Sequence, residues 1–277
     1  MIHKIIHIAD VHIPNDCSKR PYDEMLKNML GAILDEIGDT NPDEVRIVIV
    51  GDIFDQKIKA TNEAKSMFHE MLNYLNQMAK TYIVAGNHDM LEKNTDRMDS
   101  LNPTFDISGV YENIVYLDKE LGFKSGFIVD DNVVFVLYSM HEQFARPGDF
   151  DEMKKKVGKG KTIIGLYHGE VCGATTDTGN VSTNGLDFSY FKGCDCVMAG
   201  HIHKFQEIKQ KGIRLVYPSS VFQKDAGENT TVHGFVVWNL DDLSYKHCEV
   251  NNDYRIFKFE VCDYEDVDKD AEKLINL

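Results

Sequence analysis

Five short polar segments stand in order along this chain: Asp10-Val11-His12, Gly51-Asp52-Ile53-Phe54-Asp55, Gly86-Asn87-His88-Asp89, Tyr167-His168-Gly169 and Gly200-His201-Ile202-His203. Their side chains are carboxylates, imidazoles and one amide, the donors that suit hard-to-borderline divalent cations. Asp10 and His12 are separated by one residue, as are His201 and His203, so in an extended segment each pair points one way. A carboxylate and an imidazole delivered together can take one cation, and Asp52 can bridge two with its two oxygens. Asn87 offers a neutral carbonyl oxygen and His168 another imidazole. The inventory is two aspartates, one asparagine and four histidines, with His88 left over. That is too many ligands for one four-coordinate ion and suits two ions sharing a carboxylate. Two ions roughly 3.5–4 Å apart form a clamp for in-line displacement at phosphorus.

The elements that must position these residues are legible around them. Lys4–Ala9, Val45–Val50, Thr81–Ala85, Thr162–Leu166 and Cys196–Ala199 are apolar, often β-branched runs, each ending at one of the polar segments. Such runs read as buried strands, and open α/β sheets place their sites where strands end. Gly51, Gly86 and Gly200 come just before ligands, where a backbone must turn tightly or approach closely. A lone D-x-H or H-x-H carries little weight, and GNHD alone reads as a turn. All five in order, each after a strand signal, define one shared metal site. His3, His7, His69, His141, His233 and His247 fit no such pattern and are expected at the surface or in the core.

Between strands one and three, Pro21–Ile37 and Thr61–Met78 carry apolar residues at helical 3, 4 spacing. This β-α-β-α-β order implies parallel strands covered by helices. The Met-rich stripes of both helices read as core packing rather than a promiscuous surface. Later strands are expected at Ile114–Leu117, Phe127–Val129, Val133–Tyr138, Ile163–His168, Phe205–Lys209, Arg214–Tyr217, Gly234–Leu240, Tyr245–Val250 and Arg255–Val261. A short helix is expected at Asp149–Val157, and a hairpin turning on Gly212. The fold class is α/β, with two mixed sheets facing each other and helices outside. Glu170–Asp187, following His168 without periodicity, reads as a substrate-contacting loop.

At 277 residues the chain can bury a substantial core. Net charge is −15, from 45 acidic and 30 basic residues, which argues against a broadly basic nucleic-acid surface. Bound cations would offset the acidic ligands locally, and a basic stripe can coexist with an acidic body. Lys19-Arg20 and Lys154–Lys161 are candidate basic spots, or solvated charged loops. The six cysteines show no C-x-x-C pairing; Cys194 and Cys196 read as reduced thiols on one face of a strand. No apolar run approaches the roughly 18 residues of a membrane span, and no signal peptide fits before the first strand. The expected location is the cytoplasm, or the nucleus if the chain is eukaryotic, with a virus- or phage-infected cell as a further setting.

From Ile5 to Leu240 the segments resemble the calcineurin-like metallophosphoesterase superfamily, whose pattern is D-x-H, G-D-x-x-D, G-N-H-D/E, H and G-H-x-H. Within it, Gly200-His201-Ile202-His203-Lys204, Ser219-Ser220, Asp225-Ala226-Gly227-Glu228 and His233-Gly234-Phe235 look like the SbcD-type DNA repair nucleases, in a viral or phage-type, C-terminally short form. The resemblance implies a four-layer α/β sandwich holding two divalent ions, Mn²⁺ first and Mg²⁺ second. One ion would be held by Asp10, His12, Asp52 and His203, the other by Asp52, Asn87, His168 and His201. His88 would be the catalytic histidine, with Asp55 and Asp89 orienting imidazoles behind the ligands.

The implied activity is Mn-dependent exo- or endonucleolytic hydrolysis of DNA phosphodiester bonds by metal-activated hydroxide, in repair or recombination. The implied partners are DNA, an SbcC-type SMC-like ATPase subunit and a second copy of the chain. A small-molecule phosphoesterase of the same superfamily, a cyclic-nucleotide phosphodiesterase or a protein phosphatase, is the alternative. Ser219 departs from the glycine frequent in the family. Residues 1–250 read as the phosphoesterase domain and 251–277 as the start of a truncated or minimal capping region.

Overall fold

The computed structural model describes residues 1–16, 21–106, 109–176 and 178–257. One six-stranded sheet has the order β12 (Ser244–Glu249), β11 (Gly234–Asn239), β1 (Lys4–Ile8), β2 (Val45–Val50), β3 (Lys80–Val84), β4 (Ile114–Tyr116). Strands β1 to β4 run parallel, with β11 and β12 antiparallel at one edge. The second sheet has the order β5 (Gly126–Asp130), β6 (Val133–Tyr138), β7 (Thr162–His168), β8 (Cys196–Gly200), β10 (Ile213–Tyr217), β9 (Gln206–Gln210). Its four inner strands are parallel and its two edges antiparallel.

Helices α1 (Tyr22–Ile37) and α2 (Asn62–Met78) cover the outer face of the first sheet. Two single turns, α3 (Asn102–Phe105) and α4 (Leu117–Glu120), link β3 to β5 by way of β4. Helix α5 (Phe150–Val157) packs on the outer face of the second sheet, its first turn capped by the Asp149 carboxylate. Three apolar layers result: α1 and α2 against sheet one, sheet against sheet, and sheet two against α5. This is the expected four-layer sandwich of two mixed sheets. The alternation of inner and outer residues along each strand puts most β-branched side chains in a layer, Val129 of edge strand β5 being exposed.

The methionine stripes are core. Met25, Met29 and Met71 are at most 1% exposed, packed with Phe68 and Leu72 between the two helices and the sheet. Between the sheets, buried His7 of β1 places Nε2 3.1 Å from the Ala199 carbonyl of β8. Burial pushes its pKa down to about 3, so the ring is neutral. The hairpin β9–β10 turns on Gly212 as expected.

Two expectations need correction, and a third resolves to one of its two readings. Cys196 lies in the layer between the sheets, whereas Cys194 lies in the outer layer. Strand β8 begins only at Cys196, so the same-face rule for residues two apart does not reach back to Cys194. Residues Arg255–Phe257 form no strand; the rest of that expected strand, like Lys19-Arg20, lies outside the described residues. The lysines from Lys154 to Lys159 are solvated, at the end of β7 opposite His168. Seven extended residues span about 20 Å, so this basic spot is remote from the polar segments.

Candidate metal centre

Because β1, β2, β3, β7 and β8 are all parallel within their sheets, their C-terminal ends can meet at one crevice. Backbone hydrogen bonds tie the loops there: Asp10 N–H to Gly51 O at 3.1 Å, His12 N–H to Asp52 O at 3.0 Å and Gly169 N–H to Gly200 O at 3.2 Å. The glycines permit this closeness. A Cβ on Gly86 would stand 2.2 Å from the Asp52 amide nitrogen and carboxylate, and one on Gly51, at φ +81°, 2.2 Å from His168 Nδ1.

The D-x-H segment is not extended. Asp10, His12 and Asp52 have φ of 54°, 51° and 54°, and His201 has 96°. Left-handed backbone at several non-glycine residues is costly and gathers at functional sites. Here it turns both members of each pair into the crevice, the outcome that extended geometry was expected to give.

Two clusters form. Asp10, His12 and His203 bring one donor atom each within 4.8 Å of one another, as do Asp52, His168 and His201. In the first, His12 Nε2 and His203 Nε2 are 2.9 Å apart, with Asp10 Oδ1 at 3.9 and 3.7 Å from them. In the second, the Asn87 carbonyl oxygen lies 3.1 Å from His168 Nε2 and 2.8 Å from His201 Nδ1. Asp52 stands between them, Oδ2 3.7 Å from His12 Nε2 and Oδ1 3.3 Å from His168 Nε2. Ligands about 2.0–2.2 Å from one ion stand roughly 3–4 Å from each other, so these spacings fit two cations sharing Asp52. The donors are buried: Asp10, Asp52, His168 and His12 are 0, 1, 2 and 5% exposed.

The same crowding sets the charges. Burial raises the Asp10 pKa to about 6 despite nearby His168 and His203. Burial opposes ionisation of Asp52 as well, but the imidazoles around it, His168 foremost, hold its carboxyl below the usual range. Asp52 in turn outweighs burial at His168 and raises its pKa to about 9. Burial and the neighbouring His168 lower His201 to about 4. His168 and His203, both raised by neighbouring carboxylates, would give up their protons as cations bind.

His88 lies beside the first cluster, its ring centroid 4.9 Å from that of His12. Its backbone N–H donates to Asp52 Oδ1 at 2.7 Å and its Nδ1 donates to the Asp55 carbonyl at 2.6 Å. That second bond leaves Nε2 as the working nitrogen. The Asp55 carboxylate comes near an imidazole, 4.0 Å from His12 Nδ1, beyond hydrogen-bond reach, and pairs with Lys224 Nζ at 3.0 Å. Asp89 does not orient one. Its carboxylate accepts from the backbone N–H groups of Ile53, Phe54 and Gly86, so it holds the loops that carry Asp52 and Asn87.

Two residues were not assigned a role from the sequence. Glu228 accepts from His203 Nδ1 at 2.6 Å and from the Lys224 backbone N–H at 2.9 Å. Lys224 Nζ pairs with Asp55 Oδ1 at 3.0 Å and approaches His12 Nδ1 at 3.5 Å. The acidic turn ending in Glu228 was visible, but nothing local shows that it reaches His203. A ligand imidazole is oriented by whatever its second nitrogen bonds. Glu228→Gln is therefore expected to weaken divalent-metal affinity by about 10- to 100-fold, read by competition against a metallochromic chelator. Unchanged affinity would reduce Glu228 to a loop brace. The six remaining histidines are hydrogen-bonded structural residues, as expected.

The fold and the crevice define a metal-dependent phosphoesterase. The chain belongs to the calcineurin-like phosphoesterase family, whose model matches residues 3–205. Among curated proteins it is similar to uncharacterized protein R555 of Acanthamoeba polyphaga mimivirus, at 31% identity over 254 residues. That match covers 90% of this chain but only 18% of the viral protein. One crystal structure shares the fold with a TM-score of 0.54 at 12% identity, covering 91% of this chain and 100% of its own. A novel archaeal phosphodiesterase aligns at a TM-score of 0.40 and 11% identity, over 88% of this chain and 97% of its own, too distant to inform the reading. Among the described residues no helix is long and apolar enough to cross a membrane.

Proposed function

We propose that the chain is a DNA phosphodiesterase of the SbcD type, working with two divalent ions, Mn²⁺ by preference. When bound, the cations would supply Lewis acidity toward the phosphoryl oxygens and lower the pKa of a coordinated water. Asp10, His12, Asp52 and His203 would hold one, and Asp52, Asn87, His168 and His201 the other. His88, with Nδ1 fixed on the Asp55 carbonyl, presents Nε2 to stabilise charge on the phosphate and to protonate the leaving oxygen. Asp52 positions it twice, by its place in the crevice and by accepting the His88 N–H.

The observation that carries the nuclease reading is the contact between Glu228 and His203. Glu228 belongs to the turn that sets the SbcD-type resemblance apart, and it touches the metal centre. Partner binding, by an SMC-like ATPase or a second copy, belongs to the same proposal. The net charge of −15 favours the rival reading, a small-molecule phosphoesterase, since the same site serves either substrate.

Linear single- and double-stranded DNA, incubated with the protein and Mn²⁺ beside bis-p-nitrophenyl phosphate, separates the two. The expected result is degradation of DNA that weakens steeply with salt. Turnover of the small diester with intact DNA would overturn the nuclease reading and leave the phosphoesterase.

A further inference from the structure

The register of β3 on β4 ends at Ile83 opposite Tyr116, just before the Gly86-Asn87-His88 segment. The chain then turns at Leu117, and in place of a strand partner the Asp118 carboxylate accepts the Ala85 N–H through Oδ2 at 2.9 Å. Its other oxygen accepts from Ser139 Oγ at 2.6 Å. Ser139 follows β6, so this one carboxylate joins a strand end of the first sheet to a strand end of the second. We infer that Asp118 is a positioning residue for Asn87 and His88: with Ser139 it fixes the strand end from which both project. The inference rests on the phosphoesterase reading, in which Asn87 holds an ion and His88 serves as acid, and it says what keeps them in place.

The far end of the segment is held from the same place. After Ser139 the chain makes a single turn, Met140–Glu142, and His141 Nε2 stands 3.3 Å from Asp99 Oδ2. That oxygen also accepts from the Tyr116 hydroxyl at 2.8 Å. Asp99 Oδ1 accepts from the N–H groups of Leu101 and Asn102 at 2.9 and 2.7 Å, which shapes the loop around Ser100. The Ser100 N–H in turn donates to the Asp89 carbonyl at 2.8 Å. Ala85 and Asp89 bound the segment that carries Asn87 and His88. Both are therefore tied to the turn after β6, one through Asp118 and Ser139, the other through Ser100, Asp99 and His141.

Packing alone does not account for this arrangement. Asp99 and Asp118 are 3% and 1% exposed, and among the described residues neither pairs with a lysine or arginine. Burial pushes the Asp118 carboxyl above its usual range, against the bonds from Ser139 and Ala85 that favour its charged form. Apolar residues of similar volume would fill such space at lower cost. The turn carries strain of its own, because Gln143 and Phe144 take left-handed backbone at φ 52° and 58°. Bulky residues stay there only where the surroundings over-determine them, and such residues gather at functional sites. The Phe144 ring packs on Tyr167, centroids 5.0 Å apart, next to His168. The turn that anchors Asp118 is thus also set against the strand end that delivers His168.

The test is Asp118→Leu beside Asp118→Asn and Ser139→Ala, with Val136→Ala, a cavity in the outer layer of the second sheet, as the control for lost stability. Three quantities are read: kcat and KM for bis-p-nitrophenyl phosphate, Mn²⁺ binding by calorimetry, and the thermal midpoint. Leucine removes the acceptor, so kcat should fall by about 10²-fold, the effect of a displacement of about 1 Å, with KM little changed. One of two Mn²⁺ binding steps should weaken by about 10- to 100-fold while the other holds. Asparagine still offers an oxygen to the Ala85 N–H and an amide to Ser139, and should restore kcat. Wild-type kcat in Asp118→Leu overturns the assignment, as does an equal loss in Asp118→Asn or in Val136→Ala at a matched thermal midpoint. If Asp118→Leu does not fold, Ser139→Ala decides. A lowered kcat at unchanged KM then supports positioning, and wild-type kcat overturns it. Absence of diester turnover in the unaltered protein would sink the phosphoesterase reading instead, and the Mn²⁺ titration of the variants would then decide this one.

Discussion

His88→Ala is expected to lower phosphodiester turnover by about 10²- to 10⁴-fold, the contribution of one positioned general acid, while two divalent ions still bind. The separation follows from geometry. His88 Nδ1 is spent on the Asp55 carbonyl, and its ring stands beside the donor clusters rather than within the Asp10 or Asp52 group. The alternative is also on view, because His12, Asp55 and His88 bring donor atoms within 4.8 Å of one another. Turnover of bis-p-nitrophenyl phosphate and metal content by elemental analysis, on the same preparation, decide between them. Near-normal turnover would remove His88 from the chemistry. Loss of metal with loss of turnover would make it a ligand.

Asp52→Asn is expected to be more damaging still. Its two carboxylate oxygens face the two clusters, at 3.7 Å from His12 and 3.3 Å from His168. An asparagine keeps the shape but removes the charge, and offers one oxygen where two are needed. Turnover should fall by more than about 10³-fold, as expected when the paired-ion clamp is lost. Metal content should fall below two ions per chain. His168 would also lose the carboxylate that offsets its burial. A variant that retains two ions and measurable activity would show that Asp52 does not bridge.

Much of this centre was readable before any coordinate. Apolar runs ending in Asp, Asn and His segments gave the strand ends, and helical spacing placed α1 and α2 within a residue of their observed bounds. Those signals are local and periodic. What stayed hidden depends on distant contacts. The left-handed turns at Asp10, His12 and Asp52 are imposed by cross-loop hydrogen bonds, and hydrophobic spacing carries no trace of them. Asp89 was misplaced because its partners, the amides of Ile53 and Phe54, lie more than thirty residues earlier. Glu228 reaches His203 across 25 positions. The lysines near Lys161 read as a basic spot, yet only the direction of β7 shows that they face the wrong end.

The backbone at Asp10, His12 and Asp52 has a consequence for how this sequence can drift. Glycine and asparagine take left-handed backbone at the least cost, and each would remove a ligand charge or ring. At these positions, the changes that ease the chain are the changes that empty the site. A lineage released from the need for the reaction should therefore accumulate Gly and Asn at 10, 12 and 52. A laboratory selection for heat resistance alone should dismantle the metal centre before it touches the strands around it.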